Sequence, residues 1–283
     1  EEGRSFLERF VEEFPASLEE DAPLPVNLSS RKVSLEELQG ESLDMGLKLL
    51  AARLNQPKPL QAHSETDWMV SWSLKTFTLL PNDQIQRELD GSTHNNYQVT
   101  ALLESEAVQR IFLNKLINAA LLWHQNLPTT LPAPSTFLRC SVHAIKNTRR
   151  KMEDKHVALA EFNQLFGIQD ELQRAYYAVF DGHGGADAAI YAATHLHVTL
   201  SKQETLQNDA ATALKNAFKH TDDMFKAKAK RERLRSGTTG VAVLIHGQEL
   251  TVAWLGDSQA VLVRKGQVVT LMDPHKPDRQ DEK

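Results

Sequence analysis

Ala178-Val179-Phe180-Asp181-Gly182-His183-Gly184-Gly185 is the stretch on which the fold turns. Residues 175–180 are aromatic and β-branched enough to form a buried strand, and Asp181 stands where that strand leaves the core. Gly182 lets a backbone carbonyl turn toward a cation, and Gly184 and Gly185 let the chain double back without a Cβ clash before a helix begins. A carboxylate, an imidazole and glycines in this order have the composition of a metal-assisted phosphate site. Taken alone, the Asp-Gly pair reads more simply as a glycine-rich turn with Asp181 as the helix N-cap.

Two other segments weigh against that simpler reading. Upstream lies Arg149-Arg150-Lys151-Met152-Glu153-Asp154-Lys155-His156, and downstream Trp254-Leu255-Gly256-Asp257-Ser258 closes another apolar strand. Three acidic strand ends suggest a cation cluster. Arg149…Met152-Glu153-Asp154, Asp181-Gly182-His183-Gly184-Gly185, Ser236-Gly237-Thr238-Thr239 and Gly256-Asp257-Ser258 resemble, in this order, the motifs of the PP2C-type metal-dependent serine/threonine phosphatases. The stretches 145–154 and 228–234 look most similar to the calmodulin-dependent-kinase phosphatase branch, also called partner-of-PIX phosphatases. The resemblance covers roughly residues 137–283.

That resemblance implies an α+β fold, an antiparallel β-sandwich flanked by helices, and hydrolysis of phosphoserine or phosphothreonine through a metal-activated water. Hard oxygen ligands suit Mg2+ or Mn2+. By resemblance, Asp181 bridges two such ions, the Gly182 carbonyl completes one coordination sphere, and Asp257 holds a further, weaker ion. Glu153 and Asp154 contribute largely through water; as neighbours in a strand they point to opposite faces, and without Arg149 they read as solvated acidic residues. Arg149 occupies the place of the phosphate-binding arginine, a role suited to its planar fork. The family points to His183 as the general acid for the leaving seryl or threonyl oxygen, with a hydrogen-bonding support role as the alternative, and to His156 as an orienting group. Arg150 and Lys151 read as surface charges. The run from Lys226 to Arg235 reads first as a solvated helix face, and second as an attractor for acidic substrate segments.

Composition sets outer limits. The chain has 283 residues, 41% apolar and 24% charged, with a net charge of -5, enough for two domains and unlike a nucleic-acid coat or a general binder of anionic membranes. No apolar run approaches a membrane span. Cys140 is the lone cysteine, sits in an alternating strand-like run and lacks the phosphate cradle of a cysteine phosphatase, so it reads as packing. The first residues lack a signal-peptide pattern, and the expected setting is reducing, cytoplasmic and also nuclear. With Glu1 at its start and a charged helix-like segment, residues 280–283, at its close, the chain reads as a piece of a longer protein.

Residues 1–134 are expected to form a helical regulatory or interaction region, or one that merely buttresses its neighbour. Phe6, Leu7, Phe10, Val11 and Phe14 share a helix face, Ser34-Leu35-Glu36-Glu37 opens a second helix, and Leu43, Leu47, Leu50 and Leu54 continue it. A third helix is expected from about Tyr97 to Gln125, after an exposed loop over 82–96, and Pro128, Pro132 and Pro134 mark a linker. Residues 135–283 switch to period two, as the N-terminal part of a phosphatase domain. Strands are expected over 138–144, 157–162, 175–180, 240–245, 250–255 and 260–272, the last split by a Lys265-Gly266 hairpin, with helices over 186–200 and 210–229.

The family places two more metal-binding aspartates in a C-terminal half beyond this sequence, so these residues alone are expected to be weakly active or inactive, with exposed sheet edges. Branch similarity implies phosphorylated protein substrates, namely calmodulin-dependent and p21-activated kinases, and an exchange-factor partner. The competing readings are a non-catalytic binding module working through the N-terminal helices, and a hydrolase of small phosphate esters.

Overall fold

Ser34 and Glu37 have the spacing that lets a hydroxyl and a carboxylate cap a helix start reciprocally. In the computed structural model, which describes residues 2–26, 30–53, 102–126 and 138–283, they do so. Glu37 N donates to Ser34 Oγ at 3.3 Å, and Ser34 N donates to Glu37 Oε2 at 2.8 Å. Helix α2 (Leu38–Arg53) follows directly. It belongs with α1 (Glu2–Glu13), α3 (Ser105–Gln125) and the short antiparallel pair β1 (Lys32–Val33) and β2 (Leu103–Glu104).

Residues 1–139 with 164–168 form one compact unit, and 140–163 with 169–283 form a second. The core of the first joins Phe6, Phe10 and Phe14 of the α1 face to Leu49 and Leu50 of α2 and Phe112 and Leu116 of α3. The α2 stripe runs through Met45 and Leu49 rather than Leu47, which is only half-buried. Leu54, the expected loop over 82–96, the start of the third helix near Tyr97 and the proline linker with the 134/135 boundary lie outside the described residues.

The second unit is built on a four-stranded antiparallel sheet of β3 (Lys155–Leu159), β4 (Arg174–Phe180), β7 (Gly240–His246) and β8 (Glu249–Leu255), in that spatial order. Period-two patterning makes its two faces unequal. Tyr176, Ala178 and Phe180 are buried toward α5 (Asp187–Ser201) and α6 (Ala210–Glu232), whereas Val179 on the opposite face is 46% exposed. The His197 ring of α5 lies tilted against Tyr176, and Phe218 of α6 reaches Gly240 beside Phe180. The α+β class and the antiparallel pairing match the expectation. Of a sandwich's two layers, the described residues form this one, with both helices on one face.

β9 (Val261–Arg264) and β10 (Gln267–Thr270) form the expected separate hairpin. Its turn is possible because Lys265 and Gly266 both take positive φ, 52° and 76°. Two strand expectations change. Residues 138–144 keep an alternating exposure but form no ladder, since no described strand lies beside them to accept their hydrogen bonds. The strand expected over 157–162 is Lys155–Leu159, and Phe162 instead begins the short helix α4 (Phe162–Phe166), where its ring is fully buried. No helix among the described residues is long and apolar enough to cross a membrane.

Candidate active site

β4 delivers Asp181 to the sheet edge immediately after buried Phe180. Its backbone is then held from both sides by the residues that precede β7. Asp181 N donates to Thr239 Oγ1 at 3.3 Å, while its carbonyl accepts from Thr239 N at 2.9 Å and Thr238 Oγ1 at 3.1 Å. Next to it, β5 (Gly182–His183) pairs with β6 (Gly237–Thr238). Asp181 is therefore not the cap of α5. Ser236 Oγ performs that task from a distant segment, accepting from Ala188 N at 3.0 Å. The carboxylate of Asp181 takes no part in capping that helix.

The Gly256-Asp257-Ser258 motif locks onto one of the same threonines. Thr239 Oγ1 lies 2.7 Å from Ser258 Oγ, which ties the Gly256-Asp257-Ser258 turn to Asp181 through one side chain. Gly256 sits at φ +87°, and a Cβ there would come within 2.7 Å of Thr239 Cβ, so this close approach requires glycine. Gly237 is needed for a different reason: the His183 ring lies across it, and a Cβ would fall 2.4 Å from His183 Nε2.

Asp154, Asp257 and Arg149 all lie near enough to Asp181 to act on its charge. The Asp181 carboxyl is pushed above the usual carboxylate range by partial burial first, then by the charges of Asp154 and Asp257 and a hydrogen bond with Asp154; Arg149 alone pulls it back. Like charges gathered around one carboxylate are the electrostatic signature of a cation site. Among the described residues no three ligating side chains already form a ready cage. The donors are nonetheless all hard oxygens, and a divalent cation would relieve their mutual repulsion, so they fit Mg2+ or Mn2+.

Glu153 and Asp154 precede β3 and diverge. Asp154 turns its carboxylate to Asp181, whereas Glu153 presses its backbone carbonyl on Gly182, where a Cβ would lie only 2.6 Å away. The Glu153 carboxylate is not among the groups that act on Asp181. His183 is exposed at the edge beside Asp181; His156 pairs with Val179 within the sheet and makes no hydrogen bond to the acidic cluster. The structural duties of Ser236, Thr238 and Thr239 were not legible in the sequence, because all three act on residues far away in the chain.

A cavity of about 450 Å3 adjoins this edge, lined by His183, Gly237, Thr238 and the apolar side chains of α5 and α6.

Residues 138–283 match the family model described as Protein phosphatase 2C. Protein phosphatase 1F of Rattus norvegicus is 47% identical over 281 residues, covering 98% of this chain and 61% of that protein. Protein phosphatase 1E of Mus musculus is 47% identical over 264 residues, covering 92% of this chain and 33% of that protein. Among solved structures, a C. elegans sex determining protein superposes with a TM-score of 0.63 at 19% identity, over 98% of this chain and 66% of that one, a likeness of fold. The chain thus spans 61% of the length of the rat 1F relative. The family match extends from the start of the second unit through every motif that meets at Asp181, and the chain belongs to the Protein phosphatase 2C family.

Proposed function

We propose that the second unit carries the phosphate- and metal-binding edge of a protein serine/threonine phosphatase. The observation that supports this most is the placement of Asp154 and Asp257 around Asp181, with Arg149 as the one opposing charge. A phosphate monoester dianion repels nucleophiles, so its hydrolysis calls for neutralising cations and a hydroxide source at neutral pH. When bound, Mg2+ or Mn2+ would supply both; Asp181 and the Gly182 carbonyl would hold two ions, Asp154 would support them through water, as would Glu153 only by turning its carboxylate toward the cluster, and Asp257 would hold a third.

The chain's own residues do the rest. Arg149 offers its fork to two phosphate oxygens and orients the ester. His183, fixed against Gly237, donates a proton to the departing seryl or threonyl oxygen. The Thr238 and Thr239 bonds hold Asp181 still, which keeps the carboxylate aligned as charge develops. The substrates in this reading are phosphoproteins, with calmodulin-dependent and p21-activated kinases as targets and an exchange factor as partner, in the cytoplasm and nucleus; similarity to the calmodulin-dependent-kinase phosphatase branch supports this.

The test is Mn2+-dependent hydrolysis of a phosphothreonine peptide. It compares this chain, the chain joined to the portion of Protein phosphatase 1F that it does not span, and that joined form carrying Asp181→Ala. Activity in the joined form that vanishes with Asp181→Ala or with a chelator is the expected result. Equal activity with and without the Asp181 carboxylate overturns the reading.

A further inference from the structure

The cavity beside His183 has walls of Phe180, Tyr191, Leu196, Phe218 and Phe225. Its volume of about 450 Å3 lies within the range of pockets that take a ligand or a large side chain. Thr238 is the partition between this space and the acidic cluster: it lines the cavity and donates to the Asp181 carbonyl. An apolar group in the cavity is thus one side chain away from the phosphate edge.

Charge surrounds the cavity asymmetrically. On the α6 rim, Lys226 is paired with Asp222. Beyond it, Lys228 and Arg231 both engage Glu232. Helix α6 then ends at Arg233, whose left-handed φ of 59° turns the chain toward Ser236 and Gly237. Lys230, Arg233 and Arg235 are exposed and, among the described residues, have no carboxylate partner. Arg235 passes straight into the segment that caps α5 and backs His183, with its carbonyl beside Gly184. These three cations do not line the cavity themselves; they lie on the segment between Ala229 and Ser236, both of which do, in a chain of net charge -5, a placement complementary to an acidic segment.

Resting on the phosphatase reading above, we infer that the cavity is a specificity pocket for the phosphoprotein substrate. It takes an aromatic or branched apolar side chain within two or three residues of the phosphoresidue, while Lys230, Arg233 and Arg235 hold acidic residues of the same segment. Burial of the anchor supplies affinity, and the cations select the sign of the flanking charge.

Three fluorescent phosphothreonine peptides test this: one with acidic flanks and a phenylalanine, the same peptide with glycine replacing phenylalanine, and one with phenylalanine and basic flanks. Binding is read by polarisation with chelator present, and hydrolysis separately with Mn2+. The acidic phenylalanine peptide is expected to bind about tenfold tighter than its glycine counterpart. Ala192→Phe and, independently, Ala229→Phe fill the cavity and should erase that preference, with thermal melts reporting that each variant is folded. Arg233→Glu with Arg235→Glu should erase the preference for acidic flanks. Equal binding of the phenylalanine and glycine peptides, a preference that survives in both filled variants, or no binding of any peptide overturns the inference. A clear peptide preference without Mn2+-dependent hydrolysis in the joined form overturns the phosphatase reading instead and leaves the pocket standing.

Discussion

Several polar groups that brace the helical unit are paired with partners of opposite polarity, although buried Ser42 Oγ and Gln109 Oε1 have none, whereas the charges at the Asp181 edge oppose one another. Asn114 binds the Leu18 backbone at both ends, accepting from its N–H at 2.7 Å and donating to its carbonyl at 3.3 Å. Arg110 donates to the carbonyls of Glu19 and Ala22, and Arg53 forks onto Glu13 while its guanidinium covers the Phe14 ring. Each of these groups has a partner of opposite polarity, and each closes a piece of structure. Around Asp181 the neighbours are two more carboxylates against a single guanidinium. Satisfied polarity marks a scaffold; frustrated polarity, held in place by strong backbone bonds from Thr238 and Thr239, marks a site built for something that arrives.

The scaffold half of that contrast breaks most sharply at Phe112, which is 2% exposed and central to the helical core. Phe112→Ala should lower the stability of that unit by about 4 kcal/mol, read as faster amide exchange in α1 and α3. A loss below about 1 kcal/mol would mean that the three apolar faces do not close into a packed core. The site half breaks at Gly237. A methyl there collides with the flexible end of His183 rather than with backbone, so Gly237→Ala should leave the fold intact and swing the ring aside. Turnover in the joined form should fall about a hundredfold, and adding His183→Ala should cost little more, since both changes remove the same proton donor. Full additivity would show that Gly237 serves something other than His183.

Local periodicity carried much of the fold into view. The α1 stripe, the Ser34–Glu37 cap, β4, β7, β8 and the Lys265-Gly266 hairpin all follow from side-chain spacing or turn chemistry within a few residues. What escaped needed distant partners. Residues 138–144 have the alternation of a strand, but alternation describes a surface and a ladder requires a neighbour. Ser236 as the cap of α5 is unreadable from spacing, because caps are sought next to the helix they close. Arg174, 1% exposed yet charged, sits at the start of β4 only because Asp170 pairs with it at 2.6 Å and is held below the usual carboxylate range by it. The candidate site lies between these cases. Asp181 was legible from its own turn, but its meeting with Asp154 and Asp257 depends on the register of β3, β4, β7 and β8, and only the ordered motifs pointed to it.

A smaller effect tests the cap. Ser34→Ala removes one of two acceptors for Glu37 N, which also donates to the Ser34 carbonyl at 3.1 Å, and should cost about 1 kcal/mol in the helical unit, with Glu37→Ala costing a similar amount because the side-chain bonds are reciprocal. The double variant should cost less than the sum. Strict additivity in exchange or denaturant titration would show two independent contacts instead of one box.

The smallest expected change carries the sign that separates the two kinds of polarity. The folded Asp181 carboxyl titrates above its unfolded value, so its contribution to stability is full below about pH 4, the unfolded carboxyl range, and is lost as pH rises through the folded value. At pH 7 with chelator, the ionised group therefore costs stability. Asp181→Asn removes the charge and keeps the shape, so it should raise Tm at pH 7 by no more than about 2 °C, given how exposed the group is, and should do nothing at pH 3. Mn2+ should reverse the order, since binding to the native state stabilises the unmutated chain and the asparagine variant loses that gain. A variant less stable than the parent at pH 7 in chelator would show that Asp181 is a satisfied structural group, like Asn114, and would remove the electrostatic case for a cation at this edge.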